Sequence, residues 1–449
     1  MRAEKMLKVI ASALLVSLAV SAAESDADRK VDFGGWGWLT FGRVTESYYE
    51  PVRHARYDHT AKWLTDVETG LWVKAMPRDW ADIYLHWEFL YVRPIINETR
   101  KSAASLAKTF NLRVLEAYAR ARAIETDRIK LNARLGYFNV KYNPEVRNLG
   151  EYLLRSFTYP QYLVSGFEIA DKVKNRGLQI RLQVLDGMWT NDVLVNSEIE
   201  TYPINDLSFS YITSVKPVGA FLDIGAGISF SHLVSFDPEL TTPGLDTAAF
   251  STRLDRVYNT YYDPETGDST LFTFRGEKVM GRLTIDPKEF IPLRILGEND
   301  LKLYTEAAII GLKDYPEWYE NIRERVPIMV GFNVPAFKLL DVLAVEVERF
   351  QSPYTNSTKD VWGFRSPIPY TGQSVPYRKE EDLYANGDID DWRWSVYASR
   401  RIADFIRVSG QVARDHASRA WYTGGAGGYE DITQVPGDWY WMARVMFYF

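Results

Sequence analysis

Reactive side chains are few in this chain of 449 residues, and none of their spacings builds a catalytic centre. Cysteine is absent, which removes thiolate metal sites, a cysteine nucleophile and disulfide staples. The histidines are His54, His59, His86, His232 and His416, and no pair has a zinc-ligand spacing with a suitable third residue. The run Asp263-Pro-Glu-Thr-Gly-Asp268 has the composition of a calcium loop but not its ligand pattern or closing Glu, and its flanks predict the tip of a hairpin. No Ser/His/acid set has a supported placement. The sequence therefore predicts no enzyme, no cofactor and no metal.

What remains is electrostatic. Arg120, Arg122, Lys130, Arg134 and Arg181 recur at every second position opposite apolar neighbours, and so do Asp66, Glu68, Glu88, Glu306, Glu346 and Glu348. If these positions share one wet interior, a basic wall facing acids sets a transverse field that sorts small polar solutes. Mutual pairing for folding is the competing reading. Tyr84, Tyr118, Tyr304 and Tyr397 fall on the same side, where filling of the interior is favoured over a stacking track for sugars. His86, beside Glu88, reads as a hydrogen-bonded interior residue.

The elements that must hold these groups are strands. Ile83, Leu85, Trp87 and Phe89 alternate with Asp82, Tyr84, His86 and Glu88, and Leu178, Ile180, Leu182 and Val184 alternate with Gln179, Arg181 and Gln183. Segment 112–124 is rich in good helix formers, but its period of two would smear the apolar positions around a helix. Strands are predicted at 33–44, 62–76, 80–92, 110–124, 128–141, 163–172, 177–187, 206–215, 220–231, 270–286, 300–311, 325–334, 342–351, 391–401, 404–416 and 438–449. Long connections alternate with short ones such as 77–79, 125–127, 173–176 and 216–219, with 287–299 the longest exception. That rhythm predicts an all-β fold: an antiparallel transmembrane barrel of about 16 strands, with apolar residues outward, short periplasmic turns and long external loops. A soluble sandwich would need a second apolar face, and a propeller would show a repeated blade motif.

Composition agrees. Aromatics make up 14% of the chain, charged residues 25%, and mean hydropathy is −0.25, with no apolar run long enough for a helical span. A net charge of −6 gives no general reason to expect nucleic acid as a partner. Residues 1–23 have the parts of a secretory signal peptide: a basic start, the apolar run Val9 to Val20, and small residues for cleavage after Ala22 or Ala23. The mature chain, 24–449, is then one barrel domain. Outward Trp36 or Trp38, with Trp63, Trp87, Trp394, Trp439 and Trp441, reads as an aromatic girdle.

The chain ends Trp439-Tyr-Trp-Met-Ala-Arg-Val-Met-Phe447-Tyr-Phe449, with large apolar side chains at every second position. This resembles the C-terminal signature of Gram-negative outer-membrane β-barrel proteins, and size and strand number are similar to those of sixteen-stranded porins. The resemblance implies that Phe447 and Phe449 belong to the signal read by the barrel-assembly machinery. It also implies an outer-membrane location after export, lipid as surroundings, and passive diffusion of small hydrophilic solutes, and is compatible with a homo-oligomer. In such porins the connection after the fifth strand folds inward and narrows the channel. Here that is 142–162, whose Leu149, Tyr152, Leu153, Leu154 and Phe157 are unusually apolar for a solvated loop. Glu145 and Glu151 are its candidate constriction acids, although the acidic Pro-Glu-Phe-Gly-Gly pattern of many porins is missing. A lid or a subunit contact competes for this segment. For the whole chain, the alternatives are a plugged barrel with an adhesive or structural role through loops 232–269 and 352–390, and an oligosaccharide-specific channel.

Overall fold

The computed structural model describes residues 30–449 except 47, 50–56, 59–60, 62, 94–109, 157–161, 169–172, 200–204, 235–257, 263–265, 268, 292, 314–318, 353–355, 357–391, 424–425 and 434–436. Residues 1–23, read from the sequence as a signal peptide, and His54, His59 and Phe157 lie outside the described residues.

Sixteen antiparallel strands close into one barrel, each paired with its neighbours in sequence, and the last with the first. They are β1 (Lys30–Glu46), β2 (Trp63–Arg78), β3 (Ala81–Arg93), β4 (Phe110–Glu125), β5 (Ile129–Asn139), β6 (Lys174–Val184), β7 (Trp189–Ser197) and β8 (Leu207–Val215). The rest are β9 (Leu222–Val234), β10 (Gly276–Ile285), β11 (Leu303–Ile310), β12 (Ile328–Asn333), β13 (Val342–Arg349), β14 (Trp392–Ala403), β15 (Ile406–Arg414) and β16 (Trp439–Tyr448). Closure uses the very end of the chain, since Phe449 and Gly35 exchange backbone hydrogen bonds of 2.9 and 2.7 Å. Paired strands Tyr258–Tyr262 and Ser269–Thr273 form the hairpin expected around 263–268.

The strand number agrees with the sequence reading through two compensating differences. Residues 163–168 form no strand: Gly166 and Glu168 have φ of 142° and 54°, and only isolated bridges join Leu163 to Ser156 and Ser165 to Ala417. The connection from β5 to β6 therefore runs over 140–173, and the short turn expected at 173–176 falls instead at 185–188. The strand that restores the count, β7, hides its pattern because it is inverted in part. Its outward Asn191 accepts hydrogen bonds from the Tyr211 hydroxyl (2.6 Å) and Thr213 Oγ1 (3.0 Å), whereas apolar Leu194 points inward and is buried.

Outward positions expose Phe41, Val67, Leu135, Ile224, Val330 and Phe447, an apolar belt that a soluble protein would bury. Exposed aromatics rim it at both ends: Trp63 and Trp392 beside the long connections, Trp80, Trp189, Phe290 and Phe405 beside the short ones. Trp36 and Trp38 are not part of this girdle. They point inward and are buried, stacked on one another at 4.1 Å, and the Trp36 ring lies over Gly70 of β2, where an added Cβ would come within 2.3 Å of it.

Candidate functional site

A loop inside a barrel carries backbone donors and acceptors away from water, and each needs a partner. The 140–168 segment solves this by lying against an inner wall that supplies both apolar contact and acceptors. Phe138, Val140, Tyr142, Val146, Leu149, Tyr152 and Leu153 pack on inward Leu194, Ile212, Met280, Ala308, Ile310 and Met329. The inner face is thus apolar where the loop sits, and not uniformly polar as the alternation suggests. Farther along, Phe167 packs with Val342, Ala344, Tyr397 and Met442.

The acceptors are the very acids expected to line open water. Glu346 accepts from the consecutive backbone N–H groups of Arg147 (2.6 Å), Asn148 (2.8 Å) and Leu149 (2.8 Å), and from the Tyr304 hydroxyl at 2.9 Å. Glu306 accepts from the backbone of Glu151 (3.1 Å) and Tyr152 (2.8 Å), from Asn143 Nδ2 (3.0 Å) and from the Tyr142 hydroxyl. Glu348 takes the Tyr152 hydroxyl at 2.6 Å and meets His416 Nε2 at 2.6 Å. All three carboxylates point inward, yet all are buried under the loop. Their placement as open pore-lining acids is corrected accordingly.

Glu151 also differs from its expected role. It is wholly buried and folds the loop on itself, accepting from the backbone N–H groups of Tyr142 and Asn143. Burial, and then the nearby Glu306 charge, push its carboxyl up to about 8. Glu145 is paired with Lys302 at 2.9 Å and is likewise buried. Neither offers a free carboxylate at a constriction.

Sequence reasoning missed three anchors. Glu168, hidden in the expected strand 163–172, binds Arg444 (2.7 Å), Arg407 (3.1 Å) and the Tyr397 hydroxyl (2.8 Å). Burial alone would raise its carboxyl, but the two guanidiniums outweigh that and hold it below the ordinary range. Arg444 of β16 also lies over the Trp38 and Phe167 rings, at 4.0 and 4.8 Å. Asp415 accepts from Tyr440 (2.8 Å) and Asn148, tying the loop to the last long connection. The signal for Arg444 in the sequence is a lone charge in period two with Tyr440, Met442, Met446 and Tyr448 on the final strand.

On the opposite wall, β2 to β6, inward Arg113, Arg120 and Arg181 keep contact with solvent. Arg120 and Arg122 share Asp82 at 2.9 and 2.7 Å, Arg113 pairs with Glu88, and Arg181 grips Asp192 at 2.8 Å. Arg134 is held by Gln179 and lies over the Tyr118 and Phe138 rings, and Lys130 is exposed. Asp66 and Glu68 face inward and are buried, with Asp66 4.0 Å from Arg444. His86 accepts from the Trp36 indole at 3.1 Å and stands near Glu116, a structural placement. The inward tyrosines split: Tyr84 and Tyr118 are neighbours on this wall with ring centroids 5.3 Å apart, while Tyr304 and Tyr397 belong to the loop's anchors. Beneath the loop, toward the short turns, a cavity of about 590 Å³ is lined by Lys141, Arg147, Glu168, Ser399, Arg401 and Arg407, among others.

No protein-family profile matches the chain, and no curated protein matches it in sequence. Among solved structures it is similar to Salmonella typhi OmpF, described in complex with daunomycin: 11% identity, TM-score 0.47, covering 94% of this chain and 98% of that one. It is also similar to Pseudomonas putida OprB, at 10% identity and TM-score 0.47 over 93% of this chain and 94% of that one. The outer membrane channel DcaP of Acinetobacter baumannii gives 10% identity and TM-score 0.41 over 95% and 99%. Likeness at this level transfers nothing about solutes or residue roles.

Proposed function

We propose that the chain is an outer-membrane channel for passive diffusion of small hydrophilic solutes, narrowed on one side by its inward loop. The observation that carries this is the uneven wetting of the inner face. Inward Arg113, Arg120 and Arg181 keep 41%, 36% and 40% of their side-chain surface exposed, whereas inward Arg282 and Arg444 elsewhere in the barrel keep 4% and 3%. A plug serving only adhesion or architecture would cover both walls. The apolar belt between two aromatic rims supports a membrane setting, and the terminal Phe447 and Phe449 support delivery by the barrel-assembly machinery after removal of residues 1–23. Planar-bilayer recording of the purified barrel, with solute-exclusion sizing, tests the reading. Absence of any ionic current from a correctly folded barrel would overturn it in favour of the plugged alternative.

A further inference from the structure

Between the inward loop and the short turns lies the cavity of about 590 Å³, and its lining carries charge of both signs. Part of that charge is answered within the protein. Arg407 binds Glu168 at 3.1 Å, Arg400 binds Asp341 at 3.2 Å, and Lys141 acts on the Glu151 carboxyl. Arg147, Arg401, Glu298 and Asp404 also line the cavity, and none of these four has an ion-pair partner among the described residues.

The loop supplies Arg147. Glu346 fixes its backbone N–H at 2.6 Å, but that carboxylate is taken up by four donors, none of them the guanidinium. The Arg147 side chain is half-buried, makes no hydrogen bond among the described residues, and keeps a buried Nε without an acceptor. A partly desolvated guanidinium in that state gains more from an anionic acceptor than a fully hydrated one does. Arg401 is exposed and lies over the Tyr448 ring at 5.8 Å, which leaves Arg147 as the uncommitted cation under the loop. The turns supply the opposite sign: Glu298 stands in the connection from β10 to β11 and Asp404 in that from β14 to β15, both exposed. Taken as a sphere, the cavity is about 10 Å across, and three extended peptide residues span about the same length.

We propose that this cavity takes extended zwitterions of about three peptide residues, with the terminal carboxylate on Arg147 and the terminal ammonium at Glu298 and Asp404. The inference names a solute class for the channel and rests on that reading for its biological sense, but the binding chemistry does not depend on conduction. A small anion would answer Arg147 and leave the two carboxylates unmet; a small cation would do the reverse. A single amino acid is too short to reach both ends.

The test titrates the full barrel, purified in detergent at neutral pH, with triglycine and two one-ended analogues of similar length, heat of binding being the readout. N-acetylglycylglycine lacks the amine and triglycinamide lacks the carboxylate. Triglycine should bind about tenfold or more tightly than either, since only it engages both ends. Arg147→Gln should weaken triglycine and N-acetylglycylglycine by about tenfold and leave triglycinamide unchanged. Glu298→Gln combined with Asp404→Asn should weaken triglycine and triglycinamide and leave N-acetylglycylglycine unchanged. Neither change removes a side-chain hydrogen bond or ion pair among the described residues, so both variants should keep the closed barrel, which heat-modifiable migration confirms. Triglycine that binds no more tightly than either analogue overturns the proposal, as does tight triglycine binding that neither variant weakens. A barrel that passes potassium chloride current without this preference sinks the inference and leaves the channel. One that shows the preference but passes no current sinks the channel and leaves the site.

Discussion

Glu346→Ala is the sharpest probe of the loop's attachment. The wild-type carboxylate serves four buried donors: the N–H groups of Arg147, Asn148 and Leu149, and the Tyr304 hydroxyl. A buried donor left without a partner costs about 1–3 kcal/mol, so four would cost about 4–12 kcal/mol if nothing replaced the carboxylate. Water entering the space vacated by the side chain lowers that figure toward its bottom end, about 4 kcal/mol. Even this exceeds what one segment of irregular backbone gains from packing a single side chain such as Leu149, about 1.5–3 kcal/mol. The segment around 147–149 should therefore leave the wall while the barrel, held by its own ladder of backbone bonds, stays closed. In planar bilayers the open-channel conductance should rise toward that of a chain lacking 145–157, with added current noise, and added protease should cut within the loop. Glu346→Gln, which keeps an acceptor but loses the charge, should fall between. Wild-type conductance and protease resistance in the Ala variant would refute the claim that this carboxylate holds the loop.

Four further outcomes follow from the same geometry. Because Glu151 is held above its ordinary value of 4.5, its contribution to loop docking is complete below that value and is lost as pH rises through about 8; channel noise should grow above neutral pH, Glu151→Gln should abolish the dependence, and a wild-type channel insensitive to pH would contradict it. Reversing Arg120 and Arg134 to Glu should move ion preference toward cations at low salt, and the change should fade as salt shortens the Debye length below about 10 Å, which reversal potentials in salt gradients measure directly. Deleting Phe449 removes both backbone bonds to Gly35 and an apolar end residue, so the yield of membrane-inserted, heat-modifiable barrel should drop; undiminished insertion would remove its assigned role. With no native cysteine, Gly267→Cys in the exposed hairpin tip and Thr126→Cys in a short turn report orientation cleanly: an impermeant maleimide on intact cells should label the first and spare the second.

Period-two alternation made the barrel legible, because outward residues must be apolar on strand after strand whatever lies inside. It failed where lipid was not the neighbour that decided the residue. Asn191, Tyr211 and Thr213 satisfy one another on the outer face, so β7 reads as a loop, while 163–168 has strand-like spacing but is held in place by Asn148, His416 and Glu168 contacts distant in sequence. Trp36 and Trp38 look like girdle residues by type, and only the opposing Gly70 and the stacking show that they face inward. Alternation sets the basic residues of β4 to β6 on one side of their strands, the side that also carries Asp82 and Asp192. It does not fix what covers an inward residue, and so the sequence puts Glu306, Glu346 and Glu348 in open water, whereas loop residues more than a hundred positions away cover them with backbone N–H groups and tyrosine hydroxyls.

That misplacement changes the electrostatics of the lumen. Acids and arginines exposed on facing walls would set a field across the channel with little net preference of sign. With the acids of β11 and β13 buried against N–H groups, hydroxyls and His416, their charge is answered locally and screened from the lumen by the loop itself. Arg113, Arg120 and Arg181 remain in contact with solvent, and Arg134 has no carboxylate in ion-pair reach among the described residues. The carboxylates these arginines hold, Glu88, Asp82 and Asp192, are buried against the wall, so the guanidinium is the half of each pair that meets solvent. Loop attachment and solute choice are then two uses of one alternating pattern, divided by which half of the inner face the loop covers.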